Sequence, residues 1–329
     1  MVTRRRLLGA SALLFAPAIL PRHALGQDSA AKWPTRPVRL VVPFAAGGGT
    51  DAVGRLVFGR LSEMWGQPAV VENRGGAGSN VGSEMVARSA ADGYTILLSG
   101  VPLTIIPLLY KSLGYDPVKD LDPVVSLCDY PNLMVVPNSS PARSVAEFVE
   151  RARTQRGMTF GSSGVGTSPH LSGEMFKHMA GIDLTHVAYR GAGLAVNDLI
   201  PGRIDMLFNN IGSLLSHVRN GSARGIAVSS AQRFFTAPEL PTVAESGLPG
   251  FEIMGWYALA APAGTPREIV AKINADTRTV MNEPAIKARM EALGFAVAAS
   301  TPEAMGERIR REIAVWEPIV KAAGIYKSQ

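Results

Sequence analysis

Glycines, hydroxyl residues and one histidine, gathered in two short segments, are the residues of this chain best placed to do chemistry. The first segment is Val38-Arg-Leu-Val-Val-Pro-Phe-Ala-Ala-Gly-Gly-Gly-Thr-Asp51. It reads as a buried strand running into a glycine-rich turn and then a helix. Gly47, Gly48 and Gly49 remove every Cβ from the turn, so backbone N–H groups can approach a ligand closely. The helix N-terminus adds partial positive charge. Together they suit an anion such as a carboxylate, with Phe44 packing on the apolar part of the ligand or filling the core, and Asp51 closing the motif. The second segment, Met158-Thr-Phe-Gly-Ser-Ser-Gly-Val-Gly-Thr-Ser-Pro-His170, offers Ser162, Ser163, Thr167 and Ser168 as small donors around Gly166. Two anion-ready loops about a hundred residues apart suggest two lobes facing one ligand.

Other chemistries fit less well. The first loop lacks the Gly-Lys-Ser/Thr ending of a P-loop. Gly161-Ser-Ser-Gly-Val165 misses the Gly-x-Ser-x-Gly of many serine hydrolases at its last residue, and no particular acid pairs with His170. His170 is expected to donate one hydrogen bond near a helix start. His178 and His186 have no metal-ligand spacing with it. In Gly75-Gly-Ala-Gly-Ser-Asn-Val-Gly82 the third glycine of a dinucleotide fingerprint, counted from Gly76, falls one residue late. Asn80 there either donates to a ligand oxygen or caps the next helix. Arg190 either pairs with a carboxylate or is a solvated loop cation. Asn209, just after the expected strand 204–208, should point into the cleft; Asp205 does so too or is a turn residue. Ser99, ending the strand 94–99, completes the candidates. No metal site and no cofactor are expected.

Composition bounds the rest. The chain has 329 residues, 47% hydrophobic and 18% charged, enough for two ordinary domains. Removing the first 26 residues, which hold four arginines and no acid, lowers the formal charge from +6 to +2. That leaves no argument for nucleic acid. Those residues read as a signal peptide: Arg4, Arg5 and Arg6, an apolar run interrupted by Pro17, then Ala24-Leu25-Gly26. Thr3-Arg-Arg-Arg-Leu-Leu8 also loosely fits a twin-arginine signal, so Sec and twin-arginine export both stay open. Cys128, the single cysteine, permits no internal disulfide and reads as core filler.

Strands and helices alternate from Trp33 to residue 228, which implies parallel sheets covered by helices. The proline-rich stretch from Pro102 to Pro141 reads as connections with a crossover strand at 133–136, and the C-terminal third as mostly helical. The expected architecture is α/β and two-lobed. Lobe one comprises residues 27–135 and 229–329, lobe two residues 136–228, and the ligand lies at the carboxyl ends of the strands between them.

Several pieces together resemble the Bug proteins, the Bordetella uptake gene family of extracytoplasmic receptors for tripartite tricarboxylate transporters. They are residues 33–44, Gly47-Gly48 with Asp51, Val71-Glu-Asn-Arg-Gly-Gly-Ala-Gly78, Ala91-Asp-Gly-Tyr-Thr95, Tyr189-Arg-Gly191, Pro241-Thr-Val-Ala-Glu-Ser-Gly247, and Trp256-Tyr257 before Ala261-Pro-Ala-Gly-Thr-Pro266. The resemblance spans essentially the whole mature chain. It implies a type II periplasmic-binding-protein fold that closes on a small carboxylate, often through bridging waters. It also implies cleft roles for Phe44, Gly48, Asp51, Asn80, Ser163, Thr167 and His170. Many members carry an acid where this chain has Asn209; its loss would favour a second carboxylate or disfavour a ligand amino group. The resulting expectation is a monomeric periplasmic solute-binding protein for an organic acid, serving permease subunits. A sensor handing the closed form to a signalling partner is the alternative, and an enzyme acting on the same acid a third.

Overall fold

Alternating apolar residues decide the first sheet. In β1 (Val38–Val42), Val38, Leu40 and Val42 face one side and Val41 the other, all fully buried. In β3 (Thr95–Gly100), Ile96 and Leu98 join the first face and Leu97 the second. The first face is covered by α1 (Gly49–Trp65), whose Val53, Val57, Phe58 and Leu61 form one helical stripe. That helix stops at Gly66, which takes the left-handed conformation at φ 63°. The second face is covered by α2 (Asn80–Ala87), α3 (Pro102–Leu109) and the C-terminal helix, Pro302–Ala322. The computed structural model describes residues 32–322 and 324–329; the expected signal peptide, residues 1–26, lies outside them. Among the described residues no helix is long and apolar enough to cross a membrane.

The first sheet runs β2 (Ala69–Asn73), β1, β3, β9 (Met254–Pro262), β4 (Leu121–Val136), with the short β10 (Ala296–Val297) also on β4. β4 is the link between lobes. Up to Pro131 it pairs with β9; from Asn132 it pairs with β7 (Met206–Asn210) and β8 (Arg224–Val228) of a second sheet. β5 (Thr159–Ser162) and β6 (Thr185–Ala188) extend that sheet in parallel with β7. Only the last four residues of β4 were expected as strand. Prolines hid the rest: Pro123 sits beside a register shift, and Pro131 closes the pairing with β9, places where a missing N–H costs no ladder bond.

The second lobe has its own aromatic core of Phe148, Phe160, Phe176, Phe208 and Phe251, under α4 (Val145–Thr154) and α5 (Ser168–Ala180). The helices α6 (Ala192–Leu199) and α7 (Ile211–Arg219) cover the opposite face. Residues after 228 do not return at once to the first lobe. Phe251 stacks on Phe208 at 6.2 Å and Val243 joins the same core. The chain re-enters the first sheet only at Met254. α8 (Arg267–Asn282) and α9 (Pro284–Ala292) then join α1 on the first lobe's face.

Candidate functional site

The parallel strands of both sheets send their carboxyl ends toward one cavity. The space there measures about 440 Å³ when the open solvent at its mouth is counted. The first lobe contributes Phe44, Gly48, Gly49 and Thr50 from the β1–α1 turn, and Gly100 and Pro102 where β3 passes into α3. The second contributes Ser163, Thr167 and Ser168 at the start of α5, Ala192 at the start of α6, and Asn210 at the start of α7. The crossing strand β4 and its partner β9 add Tyr130 and Tyr257. Five helices therefore begin at this cavity, directing spare N–H groups and positive dipole ends at it. None of the described residues lining it carries a formal charge.

The first loop is held from behind. Gly47 has φ +85°, a conformation that favours glycine, and its N–H donates to Asp51 Oδ2 at 3.0 Å. Arg55 Nε donates to the same oxygen at 3.0 Å, and Asn73 Nδ2 donates to Asp51 Oδ1 at 3.0 Å and to the Phe44 carbonyl at 3.1 Å. Burial alone would raise the Asp51 carboxyl; hydrogen bonds from Arg55, Gly47 and Asn73 outweigh it and hold it below the ordinary range. Asp51 thus fastens the loop and does not line the cavity.

The second loop rests on a ring stack. His186 lies between Phe160 at 4.7 Å and His170 at 4.2 Å. The Gly166 N–H donates to His170 Nδ1 at 3.3 Å, and Ser162 Oγ lies 2.7 Å from His186 Nε2. His170 is therefore an acceptor here, not the expected donor: its Nδ1 meets the amide of its own preceding loop and must be unprotonated. Thr167 Oγ1 donates to the Gly164 carbonyl at 2.6 Å, tightening the same turn. Burial, with His186 and Lys177 nearby, lowers His170 to about 3; burial, with Lys177, lowers His186 to about 4. The native state thus holds neutral imidazoles where the unfolded chain takes up protons below about pH 6.5. Their stability contribution is full above that value and is lost as pH falls toward 4. Unfolding free energy should drop by up to about 1.4 kcal/mol per pH unit for each histidine in this window. Thermal melts across pH 7 to 4 would check this, and His186→Gln should reduce the slope.

Tyr130 and Tyr257 were missed as site residues. Their rings pack at 4.6 Å with Phe295 against both. Their hydroxyls lie against each other, with Thr50 beside Tyr257 and Ser168 beside Tyr130. Burial raises both phenols well above their ordinary value, so they remain donors. Tyr130 was concealed by the proline-rich stretch around it, and Tyr257 stood out only within a family motif.

The two lobes meet around the cavity. Ala45 N–H donates to the Arg190 carbonyl at 3.2 Å, and Gly49 N–H donates to Ser213 Oγ at 2.8 Å. Ser213 Oγ in turn donates to Asn210 Oδ1 at 2.7 Å. A Cβ on Gly78 of the first lobe would stand 1.7 Å from the Val165 carbonyl oxygen of the second. This is a closed arrangement.

Of the residues expected at the ligand, Phe44, Gly48, Ser163 and Thr167 line the cavity. Gly47, Gly166, Asp51, Ser162 and His170 shape its two loops. Arg190 is exposed and contributes its carbonyl to the lobe contact. Ser99 and Asn80 lie outside the lining, with Ser99 Oγ and Asn80 Oδ1 buried and unpartnered. Asp205 is at the wrong end: it precedes β7 and accepts from the Thr159 N–H at 2.9 Å at the amino end of β5. Asn209 is buried off the cavity, accepting from the Asn210 N–H at 2.9 Å. β7 runs two residues further than the expected 204–208, so its neighbour Asn210 is the asparagine at the wall.

Fold and cavity together define a two-lobed solute-binding protein. The pattern of the family described as "Tripartite tricarboxylate transporter family receptor" matches residues 53–325, and the chain belongs to that family of periplasmic receptors. Bordetella pertussis Protein BugT is 34% identical over 299 residues, 90% of this chain and 92% of that protein. The structure of R. palustris Rpa4515 with adipate superposes with a TM-score of 0.87 at 38% identity, covering 89% of this chain and 99% of the other. MatC (Rpa3494) from Rhodopseudomonas palustris with bound malate gives 0.83 at 31% identity, covering 88% and 100%.

Proposed function

We propose that this protein, exported by its N-terminal signal peptide, captures a small organic acid between its lobes and delivers it to the membrane subunits of a tripartite tricarboxylate-type transporter. The convergence of five helix N-termini on one uncharged cavity shared by both lobes carries this reading. Such a site stabilises a carboxylate through fixed N–H dipoles, which gain strength once closure excludes water. The adipate and malate in the related structures support the ligand class. The protein works as a monomer, without covalent chemistry or cofactor. Ligand bridging both lobes shifts the population toward the closed form, and hinge closure presents the surface that the membrane subunits read.

A thermal-shift screen of residues 27–329 against mono-, di- and tricarboxylates, aromatic acids and amino acids tests the proposal. An acid at a hundred times its dissociation constant should stabilise the fold by about 2.7 kcal/mol. No response to any acid, in protein shown to carry no co-purified ligand, would overturn it.

A further inference from the structure

We infer that the membrane subunits grip this protein at the seam where its lobes close, and that Arg190 and Arg74 hold an acidic segment of that partner there. The inference rests on the delivery reading above and names the surface that delivery would use.

Arg190 is a cation that the cavity does not use. Its side chain is exposed and stays off the lining. Asp198, the acid of α6, already accepts from Tyr189 Oη and from Arg203, both at 2.8 Å, and Asp51 is held by Arg55. Arg190 forms no ion pair among the described residues. Its backbone, in contrast, is fixed on both sides. The Tyr189 N–H donates to the Ser162 carbonyl at 3.1 Å, and the Arg190 carbonyl accepts from the Ala45 N–H at 3.2 Å. An unpaired guanidinium on a pinned backbone is placed to meet a carboxylate from outside the chain, which it can bond through two N–H groups at once.

The first lobe brings a second arginine to the same seam. A Cβ on Gly75 would stand 3.4 Å from the Arg190 carbonyl oxygen and 3.2 Å from the Ala45 nitrogen. Arg74 immediately precedes it. Its N–H donates to the Val42 carbonyl at 2.8 Å, and its side chain is 56% exposed. Glu72 pairs with Arg74 but is shared with Arg39 at 3.3 Å, so cations outnumber acids here. Leu194, two residues beyond the cavity-lining Ala192, is 47% exposed. Arginine beside an exposed apolar side chain is the make-up of a protein interface, and its charge calls for an acidic partner segment. Because the two arginines belong to different lobes, only closure sets the spacing between them. A partner that bridges both therefore binds the closed form more tightly and separates loaded from empty protein.

Uptake of radiolabelled acid into right-side-out membrane vesicles of the source cells, washed free of soluble receptor, tests the inference. The acid is the strongest from the screen. Residues 27–329 are added, and each protein is saturated with the acid, so that a change in acid affinity alone does not lower uptake. Arg190→Glu and Arg74→Glu should each raise the protein concentration needed for half-maximal uptake at least about tenfold. Added salt should raise the wild-type value in the same direction, and Arg190→Lys, which keeps the charge, should lose less than Arg190→Glu. Wild-type uptake with folded Arg190→Glu would overturn the inference and leave delivery standing. No uptake with wild-type protein that binds the acid would overturn delivery itself, and the inference with it. If Arg190→Glu does not fold, as read by circular dichroism, Arg74→Glu decides.

Discussion

Gly78→Ala should weaken acid binding by about a hundredfold or more while leaving the individual lobes folded. Gly78 follows β2, the strand of the first sheet furthest from the shared β4, and does not line the cavity. Its α-carbon lies so close to the second lobe that an added Cβ would sit 1.7 Å from the Val165 carbonyl oxygen, and 2.9 Å from its carbon. The obstacle is backbone, which cannot swing aside as a side chain can. The lobes would have to part at that rim, and ligand that bridges both lobes would lose one set of contacts. Alanine at φ +63° adds a local cost of about 1–2 kcal/mol, far short of unfolding a domain. Titration calorimetry would measure the affinity, and circular dichroism the fold. Unchanged affinity in a folded variant would show that closure at this seam is not needed for binding.

The largest stability effect is expected at Trp256. It lies in β9 between β3 and β4, fully buried, and joins the sheet to the C-terminal helix. Its Nε1 donates to Glu312 Oε2 at 2.7 Å, and the Arg308 guanidinium carbon lies 5.1 Å from its ring centre. Arg308 also pairs with Asp129 at 2.7 Å and Glu312 at 2.8 Å. Trp256→Ala removes the largest fully buried side chain among the described residues and takes a donor from Glu312. A loss of about 3–5 kcal/mol is expected, read as a lower urea midpoint. A loss below about 1 kcal/mol would mean that the helix does not depend on this contact.

How much of this was legible in the sequence differs by element. The β1–α1 and β5–α5 turns were readable because triple glycine and clustered hydroxyls are rare and local. The strand linking the lobes was not, because Pro123 and Pro131 look like loop residues until the neighbouring ladder shows which N–H groups are spare. α3 was read as connection although Pro102 begins it, a position where proline's missing N–H is harmless. The distinction between Asn209 and Asn210 was out of reach: β7 continues through both instead of ending at 208, and adjacent residues of a strand point to opposite faces. Tyr130 and Tyr257 meet across a strand pair more than a hundred residues apart, and no local pattern announces such a meeting.

The central claim is that one acid binds in the cavity between the lobes. Titration of residues 27–329 with the strongest acid from the screen, beside the same segment carrying Gly48→Val, addresses it most directly. Gly48 lines the cavity, and even a Cβ there would stand 3.7 Å from Ala192 Cβ of the opposite lobe. Valine would extend further into that gap. One acid should bind each wild-type chain, and binding to the folded variant should fall at least about a hundredfold. Equal binding to the two proteins would contradict the account, because the acid would then be held elsewhere.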